Sequence, residues 1–240
     1  MAGGEPEVLR ALPETRQALS ELSKYEDQDL NEEFDRLVHG VQQLAPDCAG
    51  LTISYLREGI AFTWLATSVE VASLDGVQYL DGGPCIDAIQ DGGRVATDTG
   101  DLLSEERWAI FARVAATGGI RSTLSLPQLQ EGKVVGGVNL YGTTDDAFDG
   151  RHEAIADLLG AWPGGAVTNA DLTLASVHRS REAPQVIADQ AIVDQAVGML
   201  MAARGVDNKT ALRRLDAAAQ RAGIETSLLA HVVVKGRLLD

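Results

Sequence analysis

STLSLPQLQEGKVVGGVNLYG, residues 122–142, alternates apolar with polar or small side chains on either side of Glu131-Gly132. That pattern reads as two strands joined by a tight turn. The same arrangement occurs upstream, where GLTISYLR (50–57) and IAFTWLATS (60–68) flank Glu58-Gly59 as a second hairpin. Outside these hairpins the apolar period becomes helical. Leu30, Phe34, Leu37, Val38 and Val41 predict a helix over 29–44, and further helices are expected at 103–117 and 150–161. GGPCIDAIQDGG (82–93) reads as a loop and a short helix with Pro84 near its start. Residues 1–28 form a polar, acidic arm whose helical pattern breaks near Pro13 and which is expected to order in a dimer. Pro163-Gly164-Gly165 should bend the chain ahead of a helical stretch over 171–181, part of a connecting helix at 166–185.

The tail reads as three helices, 184–204, 207–222 and 226–238. Gly205 and Gly223 stand just past the first two, where a left-handed cap is wanted, and Asp207 and Thr226 are the N-cap candidates. In AIVDQAVGMLMAARG (191–205), Ile192, Val193, Ala196, Met199, Leu200 and Ala203 make a core-facing stripe. Ala191, Asp194, Gln195, Gly198 and Ala202 lie opposite, and Gly198 costs the helix about 1 kcal/mol, which a close approach to that face would explain. In the second helix Ala211, Leu212, Leu215, Ala218, Ala219 and Ala222 share one face. Arg213, Arg214, Gln220 and Arg221 cluster on the other, with Arg204 and Lys209 at the helix junction. Such guanidiniums read either as a phosphate-binding stripe or as a solvated helix face, diluted by Asp207, Asp216 and Glu225.

The net charge of −15 argues against nucleic acid for the chain as a whole, but the acidity is uneven. From residue 181 onward 8 Lys and Arg balance 7 Asp and Glu, leaving 12 against 28 before it, as expected of two modules with different tasks. Cys48 and Cys85 form no CxxC pair, and His39, His152, His178 and His231 are dispersed, so no metal site is expected. The N-terminus lacks a secretory pattern and no apolar run would span a bilayer, so a cytoplasmic protein without membrane contact is expected. No nucleophile elbow, phosphate loop or paired-carboxylate motif points to an enzyme.

Val193-Asp194-Gln195-Ala196, Gly198-Met199-Leu200-Met201, Ala211, Leu215, Ala219-Gln220 and Leu229-Ala230 together resemble an ANTAR domain. This is the RNA-binding output module of bacterial transcription antitermination regulators. The resemblance implies binding to paired RNA hairpins, a homodimer, and Ala196, Gly198 and Ala219 at or beneath the RNA-facing surface. Arg204, Lys209, Arg213, Arg214 and Arg221 are the candidate phosphate contacts. The chain departs from the family at Val197, Asp216 and Glu225, where neutral or acidic residues replace expected cations or, at Glu225, part of a Lys-Leu pair.

Residues 29–165, through GGPCIDAIQDGGRVATDTGD and IRSTLSLPQLQEGKVVGGVNLYG, resemble a GAF domain. The expected fold class is therefore α+β, an antiparallel sheet flanked by helices, followed by a three-helix ANTAR module at 186–240. GAF domains often hold a small ligand, which makes Trp64, Tyr79, Cys85, Trp108 and Phe111 candidate pocket residues, or else ordinary core. No cofactor is implied, and Asn139-Leu140 lacks the signature of cyclic-nucleotide binders. Cys85 beside Pro84 reads either as a redox-sensing thiol at a helix start or as a packed cysteine. Two further readings make the tail a protein-interaction module that has lost strong RNA binding, or the first domain a thiol-dependent methionine sulfoxide reductase.

Overall fold

The computed structural model describes residues 9–22, 30–90, 108–165, 167–169 and 189–237. Both hairpins form as expected, β1 (Cys48–Arg57) with β2 (Ile60–Ala66), and β3 (Ser122–Gln130) with β4 (Lys133–Gly142). Their turns need left-handed backbone at two successive residues, Glu58 (φ 53°) with Gly59 (φ 78°) and Glu131 (φ 52°) with Gly132 (φ 75°). A short β5 (Val167–Asn169) pairs with β3, giving a five-stranded antiparallel sheet of order β2-β1-β4-β3-β5.

The strand period of two gives the sheet two chemically different faces. Leu51, Leu124, Leu126, Val138 and Leu140 point into an apolar core completed by α1 (Pro13–Leu22), α2 (Leu30–Leu44) and α6 (His152–Leu159). Thr52, Ser54, Asn139 and Tyr141 are equally buried but hydrogen-bonded, and they meet α3 (Val69–Asp81) on the other side. α4 (Pro84–Gln90) and α5 (Ala109–Thr117) complete that layer.

α3 begins at an N-cap, with Ser68 Oγ accepting from Val71 N at 3.3 Å, and stops at Gly82 with φ 96°. Every residue from Val71 to Tyr79 is buried, because the sheet covers one side and the C-terminal helices cover the other. Those are α7 (Asp189–Arg204), α8 (Asn208–Ala222) and α9 (Thr226–Arg237). Asp207 caps α8, its carboxylate accepting from Thr210 N at 2.7 Å, and Gly223 ends it in the left-handed region at φ 68°. A single apolar cluster runs from Val77 and Phe111 through Leu215, Leu229 and Val233, so the three helices share a core with the sheet domain.

Two glycines permit this docking. A Cβ on Gly76 would stand 3.1 Å from a Leu229 methyl and 3.2 Å from Ala222 Cβ, and one on Gly236 would stand 2.6 Å from a Val114 methyl. α8 can therefore lie directly on α3, and α9 on α5.

Several expectations change. α3 forms where no helix is expected, and residues 167–169 are strand where a connecting helix is expected. The rest of that connection, 170–185, lies outside the described residues, as do 91–107 and 186–188. Within the N-terminal arm, the described part is packed in the monomer. Leu19 is buried, Leu12 N donates to Ala66 O at 3.1 Å, and Arg16 pairs with Asp35. Leu212 is exposed rather than core, Ala203 is exposed and Val197 is buried. α9 starts at Thr226 with Leu229 N donating to Glu225 O, which gives Glu225 the cap position expected of Thr226.

Candidate functional site

The polar face of the sheet and α3 enclose one carboxylate. Asp75 is fully buried, and its Oδ1 accepts from Tyr141 Oη at 2.6 Å, Asn139 Nδ2 at 3.0 Å and Gln78 Nε2 at 3.4 Å. Oδ2 accepts from Thr63 Oγ1 at 2.7 Å. Burial pushes the Asp75 carboxyl above its ordinary range, against the pull of its hydrogen bonds to Tyr141 and other neighbours. Tyr79, one turn further along α3, stands 2.9 Å from Thr63 Oγ1 and 3.2 Å from Ser54 Oγ. Gln78 carries the network onward, accepting from Cys85 N at 2.8 Å. Asp75, Gln78 and Tyr79 lie at i, i+3 and i+4 of one helix, a spacing that brings them to one face. That spacing is present in VEVASLDGVQYLD, where Asp75 interrupts the apolar residues between Glu70 and Asp81.

Of the expected pocket residues, Tyr79, Cys85, Trp108 and Phe111 share one buried cluster with this network. Trp64 does not join them. It projects from β2 and is 43 % exposed. The Cys85 thiol is buried 3.9 Å from Ser54 Oγ and is pushed up to about 12, by burial and then by the Asp75 charge. At 1 % exposure inside the apolar cluster, Cys85 is a packed cysteine rather than an accessible redox-sensing thiol. Cys48 is likewise buried, and burial pushes its thiol up to about 11.

The tail cations divide by helix face. Arg214 and Arg221, seven residues apart on α8, lie on the side turned toward α3, whereas Lys209 and Arg213 point outward. Arg221 Nε donates to Ala61 O at 2.8 Å, Nη1 reaches Tyr79 O at 3.5 Å, and the guanidinium lies 4.4 Å above the Tyr79 ring. At the end of α7, Arg204 Nε donates to Asp81 Oδ1 at 2.6 Å, while Nη2 donates to Asp81 O at 2.7 Å and meets the same carboxylate. The Asp81 side chain is only 7 % exposed. The single arginine stripe expected from sequence is thus two stripes, one of them held against the sheet domain.

Ala196 and Ala219 are fully buried, so in this arrangement they lie beneath the surface. Gly198 is exposed and a Cβ there would meet nothing within 4 Å; Asp194, Gln195 and Ala202 around it are exposed too. Val197, in place of an expected cation, is core, and a charge there would be desolvated.

The family model described as "GAF domain" matches residues 27–161, and the one described as "ANTAR domain" matches residues 182–234. The comparisons with curated proteins and with solved structures return no match. Among the described residues no helix is long and apolar enough to cross a membrane.

Proposed function

Since the chain belongs to the GAF domain family and ends in an ANTAR domain, we propose that it is a cytoplasmic regulator that binds paired RNA hairpins to control transcription termination. ANTAR is an RNA-binding antitermination module and GAF a sensor domain. In this reading the GAF domain holds the ANTAR helices in a docked form that binds RNA weakly, and a signal releases them as a homodimer.

One observation carries this reading: the docked face of α8 and the end of α7 engage Arg204 and Arg221 with groups of the sheet domain. Lys209 and Arg213 point outward beside Asp207 and Asp216, and Arg214 is exposed too, so docking engages two of the five candidate phosphate contacts. Each phosphate contact contributes roughly 0.7–0.9 to the slope of log affinity against log salt, so withholding cations costs affinity directly. Undocking would free Arg204 and Arg221 as well.

Gel shifts of the full chain against candidate paired hairpins over a salt series test this. Binding should be salt-sensitive, and Lys209→Gln with Arg213→Gln should weaken it and flatten the slope. A folded protein that shifts no hairpin at low ionic strength would end the RNA reading. In that case the exposed Gly198 strip, which carries no cation, would favour the protein-interaction reading, tested by loss of assembly in Gly198→Leu.

A further inference from the structure

A cavity of about 450 Å³ opens where α8 and the end of α7 meet the C-terminal end of α3 and the start of α4. Its wall includes Arg204, Arg214 and Arg221 from the ANTAR helices, and Tyr79, Asp81 and Trp108 from the sheet domain. Three guanidiniums face two carboxylates there, Asp81 and Asp87, so the wall carries excess positive charge in a chain of net charge −15.

With Arg204 set against Asp81, the wall holds Arg214 and Arg221 against one further carboxylate, Asp87. Arg221 is half-buried, yet its partners are two backbone carbonyls and the Tyr79 ring, none of them formally charged. Its burial without an anion lowers its pKa below the usual guanidinium value. Arg214, on the same stripe of α8, has no hydrogen-bond or ion-pair partner among the described residues. A desolvated guanidinium gains most from an acceptor that brings charge as well as oxygen atoms, and adjacent guanidiniums match a group with several acceptor oxygens.

We propose that this interdomain cavity binds a small phosphate-bearing molecule, held by Arg214 and Arg221, with Trp108 and Tyr79 forming its aromatic wall. The volume suits a small molecule, and the walls come from both modules, so the occupant bridges them. Such a ligand favours the docked form, because undocking takes Arg214 and Arg221 away from the rest of the site. On the RNA reading above, it would therefore weaken RNA binding; the site itself does not depend on that reading.

Calorimetric titration of the full chain with inorganic pyrophosphate at constant ionic strength, without RNA, tests the site. Saturable binding to one site is expected, weakened at least tenfold by Arg214→Gln and less than twofold by Arg213→Gln, which removes the same charge from the outward face. Arg214 makes no hydrogen bond or ion pair among the described residues, so an unchanged thermal melt should accompany the loss. No saturable binding by the folded wild type, or equal weakening by both variants, would overturn the proposal. It would also fall if Arg214→Gln weakened hairpin RNA binding but left pyrophosphate binding intact, since that assigns the guanidinium to RNA.

Discussion

Asp75 sets the chemistry of the polar layer between the sheet and α3. Four donors from four residues converge on its carboxylate in a site without water access. Asp75→Ala leaves them without an acceptor and should destabilise the protein by about 2–4 kcal/mol. Asp75→Asn keeps an acceptor for Tyr141 and Asn139 and should retain most of the stability; urea melts of both variants check this. The native carboxyl sits above its unfolded value of 3.8, so the folded chain holds the proton more tightly than the unfolded one. Its contribution is therefore complete below that value and declines as pH rises through the raised native value. Tyr79, Cys85 and Tyr141, the titratable groups around it, are pushed upward and stay neutral over this range. Urea-melt free energies from about pH 4 to 7 should lose this decline in Asp75→Asn. At the surface, Glu131 holds a left-handed backbone better suited to asparagine. Glu131→Asn should raise stability by a few tenths of a kcal/mol, read from the same melts.

α3 decides the architecture at the scale of elements, because it is the layer to which both modules attach. Gly76→Leu would drive a side chain into Leu229 and Ala222, and overpacking of this kind costs about 1–3 kcal/mol. Hydrogen exchange should quicken in α8 and α9 while β1 and β4 stay protected. Equal loss of protection in the sheet would mean that the two modules are not separable. α3 was also the least legible element. The hairpins show alternation and a turn dipeptide, and α8 shows an N-cap, a stripe and a terminal glycine, all local signals. A helix buried on both sides has no solvated polar face to reveal its period, and the polar residues of VEVASLDGVQYLD at 75, 78 and 79 face the sheet instead. Arg221 was misleading for a related reason. On an isolated helix it reads as solvated, and only the tertiary fold brings Ala61 O and the Tyr79 ring to it. Of the five aromatic and thiol positions singled out in the sequence, Tyr79, Cys85, Trp108 and Phe111 share one buried cluster and Trp64 does not. Asp75 carries no local signal of burial, because most of its donors come from distant strands.

For the whole molecule the central question is how an acidic protein presents a basic face. The tail is nearly neutral, and docking turns Arg204, Arg214 and Arg221 toward the domain that carries the excess acid. This predicts weak RNA binding by the docked chain and a change of assembly on release. Light scattering should therefore show a larger species when hairpin RNA is added than for the protein alone. The docked arrangement also accounts for Val197, which occupies core space where an exposed module would carry charge. The most direct measurement is hairpin affinity in Asp81→Asn, which removes the carboxylate that holds Arg204, compared with Glu153→Gln, which removes one exposed negative charge from α6. If docking withholds Arg204, Asp81→Asn should bind RNA more tightly than both wild type and Glu153→Gln, with a salt slope steeper by about one contact. Equal affinity in the two folded variants would contradict it.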